Sequence, residues 1–352
     1  MKSTFFAGLY FFASAVLAQP FVSSVDTSQL GIGKLTIYGN SFGPGPSVQV
    51  FDKFESSAAR DGDVIPSNSP EIGVWASSKA PVYTSIESKS GIHIAKIAGT
   101  LLRYNFPAGI QQAFISYWVR VPNGSNYPGA SSPGVFPTTS SWKHAWFIDL
   151  DYAGKSSDLW TTAHFGKGLH NISGNDSNTI THHLGNAWWS WNSWVRIAVW
   201  FRANPADPTA AGDVLFHTVS QEKGVAENWM SGRVFDADGP SLKEFKYVNI
   251  PGWIRTGSSP VLYDDIYLAA GANAIAHVEL TDSANYAQSH KVAVQPSTSW
   301  SSGKITVDIN QGNFSSLNNV YLFVWDKDGN RNATGYPLNA GGAPPMFPGN
   351  IQ

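Results

Sequence analysis

The chain has 352 residues, 42% hydrophobic and 13% aromatic, with only 14% charged. Its 23 basic and 25 acidic side chains leave a formal charge of −2, so it lacks the basic field that nucleic-acid and membrane-surface proteins use. The absence of cysteine excludes a disulfide framework, a thiolate zinc site and a cysteine nucleophile, while 13% aromatics at low charge exclude disorder.

Residues 1–18 read as a secretory signal peptide. Lys2 gives the positive start, and the apolar run from Phe5 to Leu17 is too short to span a bilayer. Val16-Leu17-Ala18 fits a cleavage site, so the mature chain is expected to begin at Gln19 and to be extracellular. Asn-x-Ser/Thr sequons follow at Asn123, Asn171, Asn175, Asn313 and Asn332, compatible with a glycosylating host. Residues 19–50 carry two β-like runs, Phe21 to Val25 and Lys34 to Tyr38, between Gly- and Pro-rich turns. From 51 to 270 the chain is dense in aromatics and alternating strands. Phe114 to Val121 sets Ile115, Tyr117, Val119 and Val121 against Ser116, Trp118 and Arg120. Trp194 to Ala203 sets Val195, Ile197, Val199 and Phe201 against Trp194, Arg196, Trp200 and Arg202. A side-chain period of two puts such sets on opposite sides of a sheet. Three further strands are expected at His277 to Leu280, Lys304 to Ile309 and Val320 to Trp325, the last followed by a turn at Asp326–Asn330. The Gly/Pro-rich stretch 339–352 reads as a frayed tail.

Several segments carry a family resemblance. Tyr263-Asp-Asp-Ile-Tyr-Leu268 resembles the closing strand of concanavalin-like jelly rolls, as in laminin-G-like and polysaccharide-lyase-like proteins. The run Trp191 to Arg202 is similar to the strand those domains place before a Gly-x-hydrophobic strand, which Gly212 to His217 would supply. Gln295 to Gly312, Val320 to Asn330 and Gly335-Tyr-Pro337 resemble the C-terminal part of secreted bacterial jelly-roll proteins, and Leu35 to Gly43 resembles the start of an IPT/TIG immunoglobulin-like domain. The resemblance implies an all-β fold: an antiparallel jelly-roll sandwich over 51–270, and a smaller Ig-like β-domain. Two isolated strands cannot bury a core, so 19–50 and 277–338 are expected to build that domain together.

The chemistry is sought where aromatics and histidines crowd. Eight of the 14 Trp lie between Trp142 and Trp200, and five of the nine His between His144 and His183. Indole faces stack on sugar rings, so Trp146, Trp188, Trp189, Trp194 and Trp200, with Arg196 and Arg202, are the expected substrate-binding set. The face bearing Trp194, Arg196, Trp200 and Arg202 is expected to be concave and ligand-facing. A histidine with near-neutral pKa suits proton abstraction, and β-elimination on a uronate also needs a cation for the carboxylate and a proton donor. His144, His164, Tyr117, Arg103 and Arg120 are the expected catalytic set, with both histidines in one cleft. The Tyr-x-Lys-x-Gly-x-Tyr motif of jelly-roll alginate lyases is missing, as is the Glu-x-Asp-x-Glu strand of jelly-roll glucanases; Asp149, Asp151 and the Asp264-Asp265 pair are the nearest carboxylates. No His-x-His or His-Glu-x-x-His spacing supports a metal. The expected function is a secreted polysaccharide lyase on a uronate-containing glycan. The alternatives are a non-catalytic carbohydrate-binding or wall-associated protein and a glycoside hydrolase. The expected partner is polysaccharide, with no nucleic acid and no membrane; no cofactor is expected beyond a structural calcium, and the protein is expected to be monomeric.

Overall fold

The computed structural model describes residues 19–76, 81–121, 141–152, 155–164, 168–175, 178–185, 189–190, 192–202, 213–231, 244–251, 253–254 and 260–338. At many strand positions between 141 and 185, and at a few near 230 and 251–254, the description is of the backbone alone. The expected leader and tail, Trp188 and Asn123 lie outside the described residues. Regular structure is almost wholly strand, with two short 3-10 turns and no α-helix among the described residues.

The centre of the chain is an antiparallel jelly-roll sandwich. One sheet has eight strands, in the order Gly224–Ser231, Asp213–Ser220, Val195–Arg202, Gln112–Arg120, Val261–Ala270, Ile94–Ile97 and Val82–Thr84, with Ser47–Asp52 also paired to Val261–Ala270. The facing sheet runs Asn178–Gly185, Gly168–Asn175, Lys155–His164, Ser141–Tyr152, Phe245–Pro251 and Leu101–Ile110. Strand Val195–Arg202 sits between Gln112–Arg120 and Asp213–Ser220 in continuous register, Val195 opposite Val119 and Ser220. The alternation therefore carries across three strands. Ile115, Tyr117, Val119, Val195, Ile197 and Val199 face the other sheet and pack against Leu102, Phe147, Val248 and Ile250. Burying a side chain of this kind contributes about 1.5–3 kcal/mol.

The flanking segments build two more antiparallel sheets. Phe21–Asp26, Lys34–Asn40, Lys304–Asp308 and Ser297–Trp300 form one; Lys34–Tyr38 pairs residue by residue with Asp308–Lys304. Val292–Gln295, His277–Thr281, Val320–Trp325 and Tyr336–Leu338 form the other. Leu35, Ile37, Val278, Leu280, Ile305 and Leu322 fill the space between them. Residues 47–50 do not belong with this flank: Ser47–Asp52 adds to the sandwich sheet along Val261–Ala270, so the expected boundary at 50 falls inside a strand. Asp52 then anchors the loop that follows. Its buried carboxylate accepts from Phe54 N (2.8 Å), Ser69 Oγ (2.7 Å) and Trp75 Nε1 (2.7 Å), and burial raises its pKa to about 6.

The outward face of the eight-stranded sheet is where expectation and structure part. It does carry Trp194, Arg196 and Trp200, but the flanking module sits on it. Phe114, Ala198, Trp200, Leu215 and Tyr267 pack against Ile275, Tyr286, Phe323 and Trp325. Arg196 and Trp200 are 1% and 2% exposed. The physical reason is neutralisation in place: the Arg196 guanidinium meets Glu279 across the seam at 2.5 Å, donates to Ser116 Oγ at 2.9 Å and reaches His217 Nδ1 at 2.9 Å. A strand face of indoles and guanidiniums is thus an interface between two β-modules, and the ligand-facing role expected of Arg196 and Trp200 is withdrawn.

One sequon is consumed by the fold. The Asn332 amide donates to Leu322 O (3.2 Å) and Thr334 O (2.7 Å) and accepts from Val324 N (2.7 Å), which leaves no hydrogen free for a glycan.

Candidate functional site

The expected catalytic set does not assemble. His144 is 0% exposed and Tyr117 is fully sealed between the two sheets. The Tyr117 hydroxyl bonds Thr161 Oγ1 at 2.6 Å, and His144 stacks on buried Trp189 at 5.1 Å. Neither His144 ring nitrogen has a hydrogen-bond partner among the described residues; burial lowers its pKa to about 3. A group that cannot meet substrate cannot take its proton, so His144, Tyr117 and Trp189 are core residues. Arg103 lies half-buried on the outer face of the opposite sheet, with Nε on Asn249 Oδ1 at 2.9 Å and its guanidinium 4.4 Å from the Tyr247 ring. Arg120 lies on the other outer face. The two-sheet geometry separates these residues into three places that no single substrate touches. His164 and Trp146 sit on strands Lys155–His164 and Ser141–Tyr152, and their side chains lie outside the described residues. Arg202 is exposed at the far end of its strand, paired to Asp213.

What the structure does assemble is a groove of about 640 Å³ where the sandwich meets the flanking module. Strand Gln112–Arg120 turns Trp118 and Arg120 toward it, by the same alternation that buries Tyr117 and Val119. The segment before Val195 adds Asn192 and Trp194, loop 85–92 adds Glu87 and Lys89, the turn after Ser220 adds Glu222, and the flanking module adds His290 and Asn313. Arg120 holds the wall: Nε donates to Asn192 O at 3.1 Å, a second nitrogen donates to Asn192 Oδ1 at 2.9 Å, and the third pairs with Glu87. Trp194 is half-buried and donates from Nε1 to Glu87 O at 3.0 Å. His290 Nδ1 faces the Gln221 carbonyl at 3.0 Å, which accepts only, so that nitrogen carries a hydrogen.

Lys89 is the distinctive group. Its ammonium lies 4.0 Å from the centroid of the Trp118 ring, a cation–π contact, and no carboxylate among the described residues lies within ion-pair distance. Burial lowers its pKa to about 8, against the opposing pull of Asp265 and Asp264. Those two acids lie at a bulge in strand Val261–Ala270, with Asp265 at φ 49°. Asp264 Oδ2 accepts from Ser90 N (3.0 Å) and Ser90 Oγ (2.8 Å). Asp265 Oδ1 accepts from Asn310 Nδ2 at 3.1 Å, while its Oδ2 has no hydrogen-bond partner among the described residues. Burial pushes Asp265 up to about 6 and Asp264 well above the usual carboxylate range. Glu87 and Asn192 also have positive φ, 64° and 57°. Backbone strain of this kind costs about 1–3 kcal/mol per residue and gathers at functional sites.

Of the expected binding and catalytic residues, then, the groove brings together Trp194 and Arg120. Sequence reasoning missed Glu87, Lys89, Asn192, Glu222, His290 and Asn313, which come from five separate segments and share no motif. The one available signal was Asp264-Asp265: two adjacent acids inside an alternating strand cannot both stay out of the core without a bulge. Among the described residues no group of three or more His, Asp or Glu side chains is placed to hold a metal.

No family model and no curated protein matches the sequence. Solved structures match in outline. An alginate lyase from Aplysia kurodai aligns at 8% identity and TM-score 0.39, over 54% of this chain and 86% of that one. A Chlorella virus alginate lyase aligns at 11% and 0.34, over 54% and 89%. A lectin from Ulex europaeus aligns at 12% and 0.32, over 62% of this chain and all of that one. Likeness at this level carries no residue roles and no reaction.

Proposed function

We propose that this is an extracellular protein that binds an acidic polysaccharide in the groove between its two β-modules. The observation that carries the reading is Lys89, a half-buried ammonium in an open groove with no carboxylate at ion-pair distance among the described residues. A carboxylate on the ligand supplies that partner. Trp194 offers an indole for a sugar face, and Asn192, Glu222, His290 and Asn313 offer donors and acceptors for hydroxyls. Calorimetric titration with polygalacturonate, alginate and a neutral glucan tests this. Binding of the polyuronates, weakened roughly 10-fold or more by Lys89→Met, is the expected result. Equal binding of the neutral glucan, or an unaffected Lys89→Met variant, refutes it.

A second reading places β-elimination in the same groove. It is favoured by the lowered pKa of Lys89, about 8, which gives that amine a neutral fraction able to take a proton near neutral pH. In that reading Lys89 or His290 replaces His144 as the base. New near-ultraviolet absorbance from an unsaturated product distinguishes a lyase from a binder.

A further inference from the structure

A second aromatic surface lies on the same outward face, at the other end of the sheet. Trp229, on edge strand Gly224–Ser231, is 45% exposed. Its ring leans on buried Trp200, with centroids 5.2 Å apart and planes at 42°. Its edge abuts Gly329, where even a Cβ would stand 3.2 Å from the indole. That glycine belongs to a turn fixed by Asp326, whose Oδ1 accepts from Asp328 N and Asn330 N, each at 2.9 Å. The ring is therefore held from beneath and from the side, and it still presents an open face.

Polar couples flank it. Glu227, two residues earlier on the same strand face, takes two bonds from Arg331 at 2.9 and 3.3 Å. Arg202 pairs with Asp213, and Asp213 stands opposite Ser231 in register. A rigid flat ring between ion-paired, planar hydrogen-bonding groups matches the needs of a sugar, whose C–H face is apolar and whose rim is hydroxylated. The strand that carries Trp229 also begins beside the groove, at Gly224, immediately after the turn bearing Glu222, and runs along the edge of the sheet to the ring. Five residues of strand separate Gly224 from Trp229, about 17 Å.

We propose that a polysaccharide held in the groove continues along this edge strand and stacks on Trp229, which acts as an outlying subsite. The proposal rests on the glycan reading of the groove, and chain length separates the two. The full-length protein is titrated with digalacturonate and with long polygalacturonate. Trp229→Ala should weaken the long chain about 5- to 10-fold and leave the dimer unchanged, and Trp229→Phe should restore most of the loss. Unchanged dimer affinity also serves as the folding control. If Trp229→Ala binds the long chain as the wild type does, or loses dimer and long chain equally, the subsite is refuted while the groove stands. If the wild type binds neither length, the groove reading falls and takes the subsite with it.

Discussion

The seam between the modules can be tested through Glu279. This residue is 0% exposed and is the sole carboxylate facing Arg196 at ion-pair distance among the described residues. It accepts from four donors: Arg196 at 2.5 Å, His277 Nε2 at 2.9 Å, Tyr286 OH at 2.6 Å and Trp325 Nε1 at 3.1 Å. Glu279→Gln removes the charge and turns half of the acceptor into a donor that points at other donors. Breaking a buried ion pair from one side costs about 3–5 kcal/mol. The stranded donors are part of the same cost, so nothing is added for them. Against a total stability of about 5–15 kcal/mol this is a large fraction, and urea unfolding followed by tryptophan fluorescence will register it. Arg196→Met should cost less, because Glu279 keeps three donors. The double variant Arg196→Met, Glu279→Gln should cost less than the sum of the two singles, because both remove the same ion pair, while His277, Tyr286 and Trp325 still lose their charged acceptor. A Glu279→Gln penalty below about 1 kcal/mol, or a double variant whose cost equals the sum of the singles, would refute the account. The pH dependence has a definite sign. Burial alone would raise the Glu279 carboxyl, but Arg196 and His277 outweigh it and hold it well below 4.5. Its contribution is therefore complete above about pH 4.5 and is lost only as pH falls toward the lowered folded value.

His144 should behave in a related way: buried neutral with a folded pKa of about 3 against 6.5, it contributes stability above pH 6.5 that is lost as pH falls, at up to ~1.4 kcal/mol per pH unit. Unfolding curves of His144→Phe should show a flatter acid limb; an unchanged limb would place the proton elsewhere. Polyuronate binding should weaken as pH rises through about 8, where Lys89 loses its charge, and Lys89→Arg should abolish that dependence in a pH series of titrations. Protein from a glycosylating host should carry no glycan on the Asn332 peptide by mass spectrometry, and Asn332→Ala should cost about 1–3 kcal/mol by stranding Val324 N.

The alternation at 114–121 and 195–201 was readable from the chain because a strand's period of two is local. Val195, Ile197 and Val199 had to share a face wherever that strand lay, and they do. The turn at Asp326–Asn330 was readable for the same reason, an Asp side chain bonding its own backbone two and four residues on. The site was not readable. Lys89, Arg120, Asn192, Glu222 and His290 meet because five segments converge at one corner of the sheet, and none of them constrains another in sequence. Histidine crowding near the tryptophans misled because clustering along a chain does not say which side of a sheet a residue takes. At His144 the strand loses register with its neighbour between Lys143 and Trp146, and both His144 and Ala145 end up buried.

By itself, then, the sequence determined the all-β class and the two faces of its clearest strands. Those follow from composition and from the geometry of an extended backbone, which act over a few residues. It also determined that one face would hold indoles and guanidiniums. Only the tertiary structure decided what that face meets. Arg196 can lie against water, a uronate or a carboxylate of its own chain with the same local geometry. The choice was made by Glu279, 83 residues away in sequence, whose charge removes the cost of burying the guanidinium and so brings the second module down onto the sheet.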